Sequence, residues 1–134
     1  MTQSAVSFLR RVLLVDAATC VASGLLMTVL ATPLASLLGL PHALLLGAGL
    51  ALFPIAAFIA FVGARATESA AGVAMVVVGN LAWALGCLGV AVELEPSALG
   101  VGFAAVQALA VLGLSALEVR GMRALRTEPE RARA

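Results

Sequence analysis

The run of residues 12–64 most limits what this chain can fold into. Across these 53 residues only two acidic or basic side chains occur, Asp16 and His42. A water-soluble domain of this size needs far more polar surface, whereas a lipid bilayer removes that requirement. The run therefore predicts membrane-spanning helices. Asp16 then becomes the most unusual residue of the chain, because it places a carboxyl group inside the first of them.

Composition supports a lipid environment and argues against several kinds of chemistry. Hydrophobic residues make up 63% of the 134 residues, charged residues make up 11%, and the mean hydropathy is +1.13. A net charge of +1 and an aromatic content of 4% do not favour a nucleic-acid partner. The chain has no lysine for a Schiff base and only one histidine, too few for a bis-histidine haem. We therefore predict no cofactor, no metal site and no enzymatic activity.

Four apolar segments are long enough to cross a bilayer, which takes about 20 helical residues. They are predicted at residues 12–31, 41–63, 71–92 and 97–119. Together they predict an all-α fold, a four-helix transmembrane bundle that forms one domain over residues 1–119. Pro54 lies in the middle of the second segment and is expected to kink it. In the polar loop 64–70, Thr67 or Ser69 is expected to cap the third helix.

Two further stretches lie outside these segments. Residues 33–40 are apolar but too short to span a membrane. They are interpreted either as a further turn of the first helix or, preferably, as a short interfacial helix. Residues 120–134 carry five arginines and no apolar run. They are predicted to form a tail that frays as a helix and then becomes disordered.

The arginines predict the orientation of the chain. The eight arginines precede the first helix, lie in the loop after the second (Arg65) or follow the fourth. The two connections at the opposite ends of the helices contain none, and residues 93–96 are acidic. Because positively charged loops stay in the cytoplasm, both termini and Arg65 are expected there. The predicted main partner is the lipid bilayer.

Polar residues inside the spans are the candidate site. Asp16 shares one face of the first helix with Cys20 and Ser23. A buried carboxyl group in lipid costs about 2–3 kcal/mol near the bilayer centre, so it should face the bundle. Two interpretations remain open: a carboxylate that binds a proton or a cation, or a structural carboxylate paired with Arg65 or Arg120. The second is preferred.

The other candidate residues lie on the last two helices. Asn80 and Gln107 are both near mid-membrane, where an amide pair that holds the helices together is preferred over a polar patch for a substrate. Trp83 either fills the bundle, which is preferred, or covers a cavity beside Asn80. Glu118 is expected to form an interfacial ion pair next to Arg120.

Small residues suggest close helix packing. Gly72, Gly79 and Gly86 repeat at intervals of seven on the third helix. Such spacing lets helix backbones approach each other in lipid. It also permits a homo-oligomer or another membrane-protein partner.

Six short stretches carry a resemblance to a known type of protein. They are residues 9–18, 23–25, 38–41, 79–83, 98–100 and 107–109. On these residues the chain resembles a widespread type of small four-helix bacterial membrane protein to which no activity is assigned. The resemblance implies a multi-pass four-helix fold in the cytoplasmic (inner) membrane of a bacterium. It also directs attention to Asp16, Asn80, Trp83 and Gln107. It implies no substrate.

Three functions are compatible with these residues. The preferred one is a non-enzymatic structural or accessory subunit, which entails an ion-paired Asp16 and no polar cavity at the centre. The second is a small oligomeric transporter or channel, with Asp16 as the coupling carboxylate and Asn80 and Gln107 along the path. The third is a protein that binds a lipid or another hydrophobic molecule, which enters near Pro54 and Trp83.

Overall fold

The structure, a computed structural model, describes residues 2–65 and 70–133, with the side chains of 3–65, 70–127 and 133. This part of the chain is almost entirely helical. Its helices are α1 (Thr2–Val29), α2 (Ala31–Leu38), α3 (His42–Ala64), α4 (Ala70–Glu93) and α5 (Ala98–Arg133). The capping expected from Thr67 or Ser69 lies outside the described residues.

Four of these helices are long and apolar enough to cross a membrane. The candidate spans are Gln3–Val29, His42–Ala64, Ala70–Glu93 and Ala98–Thr127. The prediction of an all-α bundle with four transmembrane helices is confirmed. Large apolar side chains such as Leu85, Val106 and Leu109 are more than half exposed on its outer face, where lipid is the compatible solvent.

Both ends of the bundle extend beyond the predicted spans. α1 begins at Thr2, and α5 continues to Arg133. The helical extension expected after residue 119 is therefore present, and it continues where the tail was expected to become disordered. The physical reason is local. Alanine, arginine, glutamate and leucine all favour helix, and Met122 and Leu125 pack against the hydrophobic core.

The short stretch after the first span forms a separate helix. α2 follows a break at Leu30 and is capped after Leu38 by Gly39, whose positive φ of 66° suits a glycine. Of the two interpretations of this stretch, the structure supports a short helix of its own. Its end is tied to the start of α5, because the Ser97 backbone N–H donates to the Leu38 carbonyl oxygen at 3.0 Å. A Cβ atom at Gly100 would collide with that same carbonyl oxygen.

The four long helices form a bundle in which one pair of neighbouring helices packs only loosely. α1 packs along α3 and α5, and α5 packs along α4, whereas α3 and α4 meet over only a short stretch. α1 and α4 therefore lie diagonally opposite each other. At the α1–α3 contact, a Cβ atom added at Gly24 would lie 3.0 Å from the Gly49 carbonyl oxygen. The α1–α3 side of the bundle is therefore closely packed, whereas the α3–α4 side is open.

Candidate functional site

Asp16 lies in the interior of the bundle and is completely buried, with 0% of its surface exposed. The Asn80 Nδ2 atom of α4 donates a hydrogen bond of 2.7 Å to the Asp16 Oδ2 atom. Because a carboxylate only accepts hydrogen bonds, the nitrogen of the Asn80 amide must be the atom that faces it. This hydrogen bond connects two diagonal helices whose backbones do not pack together.

Other groups of α1 surround the Asp16 side chain. The Cys20 Sγ atom, one turn further along the helix, lies 3.9 Å from the Asp16 Oδ1 atom. The Thr19 hydroxyl group donates to the Asp16 backbone carbonyl oxygen at 2.8 Å, so it does not contact the carboxyl group. Asp16 thus has one strong donor, Asn80, and one weak sulfur contact.

A second buried carboxyl group adjoins the first. Glu118 of α5 is 0% exposed, and its side chain lies within interaction range of the Asp16 carboxyl group and the Asn80 amide. Neither Glu118 oxygen atom has a hydrogen-bond donor among the described residues. We call Asp16, Asn80 and Glu118 the carboxyl cluster. Its three residues come from α1, α4 and α5.

The expected ion pair between Glu118 and Arg120 is wrong. Two residues along a helix correspond to a rotation of about 200°, so Arg120 points away when Glu118 faces the core. Arg120 is accordingly exposed, whereas Glu118 is buried. Side chains lean toward the N-terminus of their own helix. The Glu118 and Asp16 side chains on antiparallel helices therefore lean toward each other.

Asp16 has no arginine partner in the part of the chain that the structure describes. Arg65 is exposed, with its guanidinium 5.0 Å from the centre of the Phe61 ring. Next to the end of α3, Gly63 packs against Leu13 and the backbone of Arg10. Since Asp16 is six residues beyond Arg10, about 9 Å along the helix, Arg65 lies too close to the surface to reach it. The preferred pairing of Asp16 with Arg65 or Arg120 is therefore wrong.

The remaining candidate residues form a second polar contact. The Trp83 Nε1 atom donates to the Gln107 Oε1 atom at 3.3 Å, and the Gln107 Nε2 atom lies 3.7 Å from the Met27 Sδ atom. The expected amide pair of Asn80 with Gln107 is wrong. Asn80 is instead bonded to Asp16, because the diagonal distance across the bundle is short enough for those two short side chains.

A cavity lies between α3 and α4 and brings both polar contacts together. Its inner lobe has a volume of about 360 Å³ and extends to Asn80, Cys20 and Gln107. Its outer lobe has a volume of about 430 Å³ and extends toward Leu40 and Phe103 at the α2 end of the bundle. Both lobes are lined by Ile55, Gly79, Trp83 and Gln107. We call the two lobes together the lateral cavity.

The cavity exists because two features coincide. α3 and α4 meet over only a short stretch, and the glycines on the α4 side fill little space. A Cβ atom at Gly79 or Gly86 would meet nothing within 4 Å. The half-exposed side chains Phe58 and Met75 flank the inner lobe. The opening therefore faces the lipid side of the bundle.

Glu118 was predicted at the membrane surface but is buried. Gly49, a tight contact between helices, was not predicted from the sequence. The signal for Glu118 was its position on one face of the last helix with Gln107 and Ser115, at offsets that match helical periodicity. Ser115 is 5% exposed, and its Oγ atom also has no partner among the described residues. The nearby Arg120 instead favoured the wrong prediction of an ion pair at the surface.

The described residues contain no group of three histidine, cysteine, aspartate or glutamate side chains that is suited to a metal ion. Cys20 and Cys87 are both free thiols. His42 begins α3 and is exposed.

Comparisons of the chain with protein-family models, with curated proteins and with solved structures find no match.

Proposed function

We propose that this chain is a multi-pass protein of the bacterial cytoplasmic membrane that binds a long hydrophobic molecule, such as a lipid acyl chain. The observation that carries the proposal is the lateral cavity. Each lobe is more than twice the ~150 Å³ of an engineered apolar cavity that holds benzene. The cavity is also open toward lipid, the source of such a molecule.

The lining of the cavity matches a hydrophobic ligand. Most of the lining residues are aliphatic or aromatic, and the polar groups are few: Asn80, Gln107, Ser23 and Thr19 lie at the inner lobe. Ligand pockets in proteins have this character, with apolar walls and a few polar groups that orient the ligand. An amphipathic molecule fits with its chain in the outer lobe and a hydrogen-bonding group near Gln107.

The alternative of a purely structural or accessory subunit is less well supported. That hypothesis entailed an ion-paired Asp16 and no polar cavity at the centre. Asp16 instead accepts a hydrogen bond from Asn80, and the inner lobe extends to Asn80. A ligand-binding role explains why α3 and α4 leave space between them.

The proposal is tested by filling the cavity. Trp83 is the only tryptophan and lines both lobes, so its fluorescence reports on an occupant. In vesicles of phosphatidylcholine with brominated acyl chains, we expect strong quenching of Trp83 in the unsubstituted protein. Gly79→Leu places a side chain in the cavity and should clearly reduce this quenching.

The matched control is Gly89→Leu on the same helix. Gly89 is exposed, has nothing within 4 Å of a Cβ atom and does not line either lobe. Both substitutions improve helix propensity by the same amount. Quenching of Trp83 that is equal in the two variants would show that no acyl chain enters the cavity.

A small transporter is a second candidate. The observation that favours it is that Asn80 and Cys20 both contact Asp16 and line the inner lobe. A coupling carboxylate needs this type of link to the substrate space. Proton-driven uptake of a hydrophobic cation dye into proteoliposomes tests it. Uptake that is unchanged in Asp16→Asn would exclude a coupling role for the carboxylate.

A further inference from the structure

The carboxyl cluster contains two acids and no base. Asp16 and Glu118 are both 0% exposed and adjoin each other. Two neighbouring carboxylates that are removed from water cannot both stay ionised without a cation, because repulsion and desolvation both oppose the second charge. The described side chains provide no arginine at this site, and the chain has no lysine.

The groups that face the pair from each helix are neutral. α1 contributes the Cys20 thiol and α4 contributes the Asn80 amide. On α5, the buried Ser115 hydroxyl group precedes Glu118 by three residues, about one helical turn. α3 has no acidic or basic side chain between His42, at its start, and Arg65, just beyond its end. Among the side chains that the structure describes, none on the helices around the cluster provides a positive charge to neutralise the pair.

The hydrogen bonds assign different roles to the two acids. Asp16 accepts a short hydrogen bond from Asn80, at 2.7 Å, as an ionised carboxylate does. Both oxygen atoms of Glu118 are buried without a donor, which is unfavourable for an ionised group. A protonated Glu118 solves both problems, because its O–H group donates to the carboxylate of Asp16.

We propose that Asp16 and Glu118 form a proton-binding site in which the pair holds one proton between two buried carboxyl groups. The proton comes from water and returns to water, so no bond other than O–H forms or breaks. The site is reached from the inner lobe through Asn80 and Cys20, which both line it. The proposal does not depend on what occupies the lateral cavity.

The test is infrared spectroscopy of the full chain in lipid nanodiscs at neutral pH. A protonated carboxyl group has a carbonyl stretching band that ionised carboxylates lack. We expect this band in the unsubstituted protein, we expect it to shift when glutamate carries ¹³C, and we expect its loss in Glu118→Gln. Glutamine keeps the shape of a protonated glutamate, and its amide can still donate to Asp16. The control Glu93→Gln, at the exposed end of α4, should keep the band.

The result that overturns the proposal is the absence of a protonated-carboxyl band at neutral pH, or a band that Glu118→Gln leaves unchanged. If Glu118→Gln does not fold, Asp16→Asn takes its place, and the band must then change frequency because Glu118 loses its charged acceptor. An unchanged frequency in that variant also overturns the pair. Because Asp16 is the only aspartate of the chain, ¹³C-labelled aspartate reports on it alone in the same spectra.

Discussion

The hydrogen bond from Asn80 to Asp16 should be the most important polar contact for stability. Asn80→Leu removes the donor but keeps a side chain of similar size at a position that is 5% exposed. Hydrogen bonds to charged groups contribute about 1.5–3 kcal/mol, whereas those between membrane helices average about 0.6 kcal/mol and reach about 1.7 kcal/mol. The 2.7 Å length and complete burial of Asp16 favour a value slightly above the largest bonds between membrane helices and within the range for charged groups.

We therefore expect Asn80→Leu to lower the free energy of unfolding by about 2 kcal/mol, or roughly 30-fold in the folded-to-unfolded ratio. Reversible unfolding in mixed detergent–SDS micelles, followed by far-ultraviolet circular dichroism, measures this loss. A double-mutant cycle with Asp16→Leu isolates the pairwise coupling from the effects of the new leucine side chains.

Gln107→Leu is the matched control. It removes a longer bond, 3.3 Å from the Trp83 Nε1 atom, at a half-buried position, and should cost about 0.5–1 kcal/mol. A coupling energy between Asn80 and Asp16 below about 0.5 kcal/mol would refute the reasoning. So would an Asn80→Leu loss no larger than that of Gln107→Leu.

Two other predictions follow from the packing and from the charge pattern. Gly49→Leu should lower the free energy of unfolding by about 1–3 kcal/mol or more, because a Cβ atom there lies 2.9 Å from Met27 and Thr28 atoms. Gly47→Leu, two residues away with nothing within 4 Å, should be tolerated in the same SDS assay, and equal losses would contradict the close packing. A fluorescent-protein fusion after Ala134 should fluoresce and an alkaline phosphatase fusion there should be inactive, because the arginines predict cytoplasmic termini. An active phosphatase fusion would contradict the predicted orientation, because it would place the C-terminus outside the cytoplasm.

The spans were predictable because they depend on length and hydrophobicity alone. A run that carries only Asp16 and His42 over 53 residues has few stable environments other than lipid. The ends were less predictable. Residues beyond 119 lack an apolar run, yet Met122 and Leu125 pack on the core. Two apolar residues are too few to form a periodic pattern that the sequence reveals.

The candidate site was predicted as a set of residues but not as a set of contacts. Asp16, Asn80, Trp83 and Gln107 were singled out because polar groups inside a bilayer are costly and must face other protein groups. Their partners depend on which helices are diagonal and which are adjacent. The expected Asn80–Gln107 pair assumed that two successive helices bring residues of similar depth together. The expected arginine partners of Asp16 assumed that Arg65 and Arg120 reach it from the cytoplasmic end of the bundle.

The sequence by itself therefore determined that the chain is a membrane bundle with four spans, and which polar residues lie inside it, since both follow from transfer energies of individual residues. The tertiary structure alone decided that Glu118 turns inward to adjoin Asp16 and that α3 and α4 leave a cavity at Gly79. Those outcomes depend on the rotation and separation of whole helices. Helix rotation and separation arise from the sum of many weak contacts, and no local pattern in the sequence specifies them.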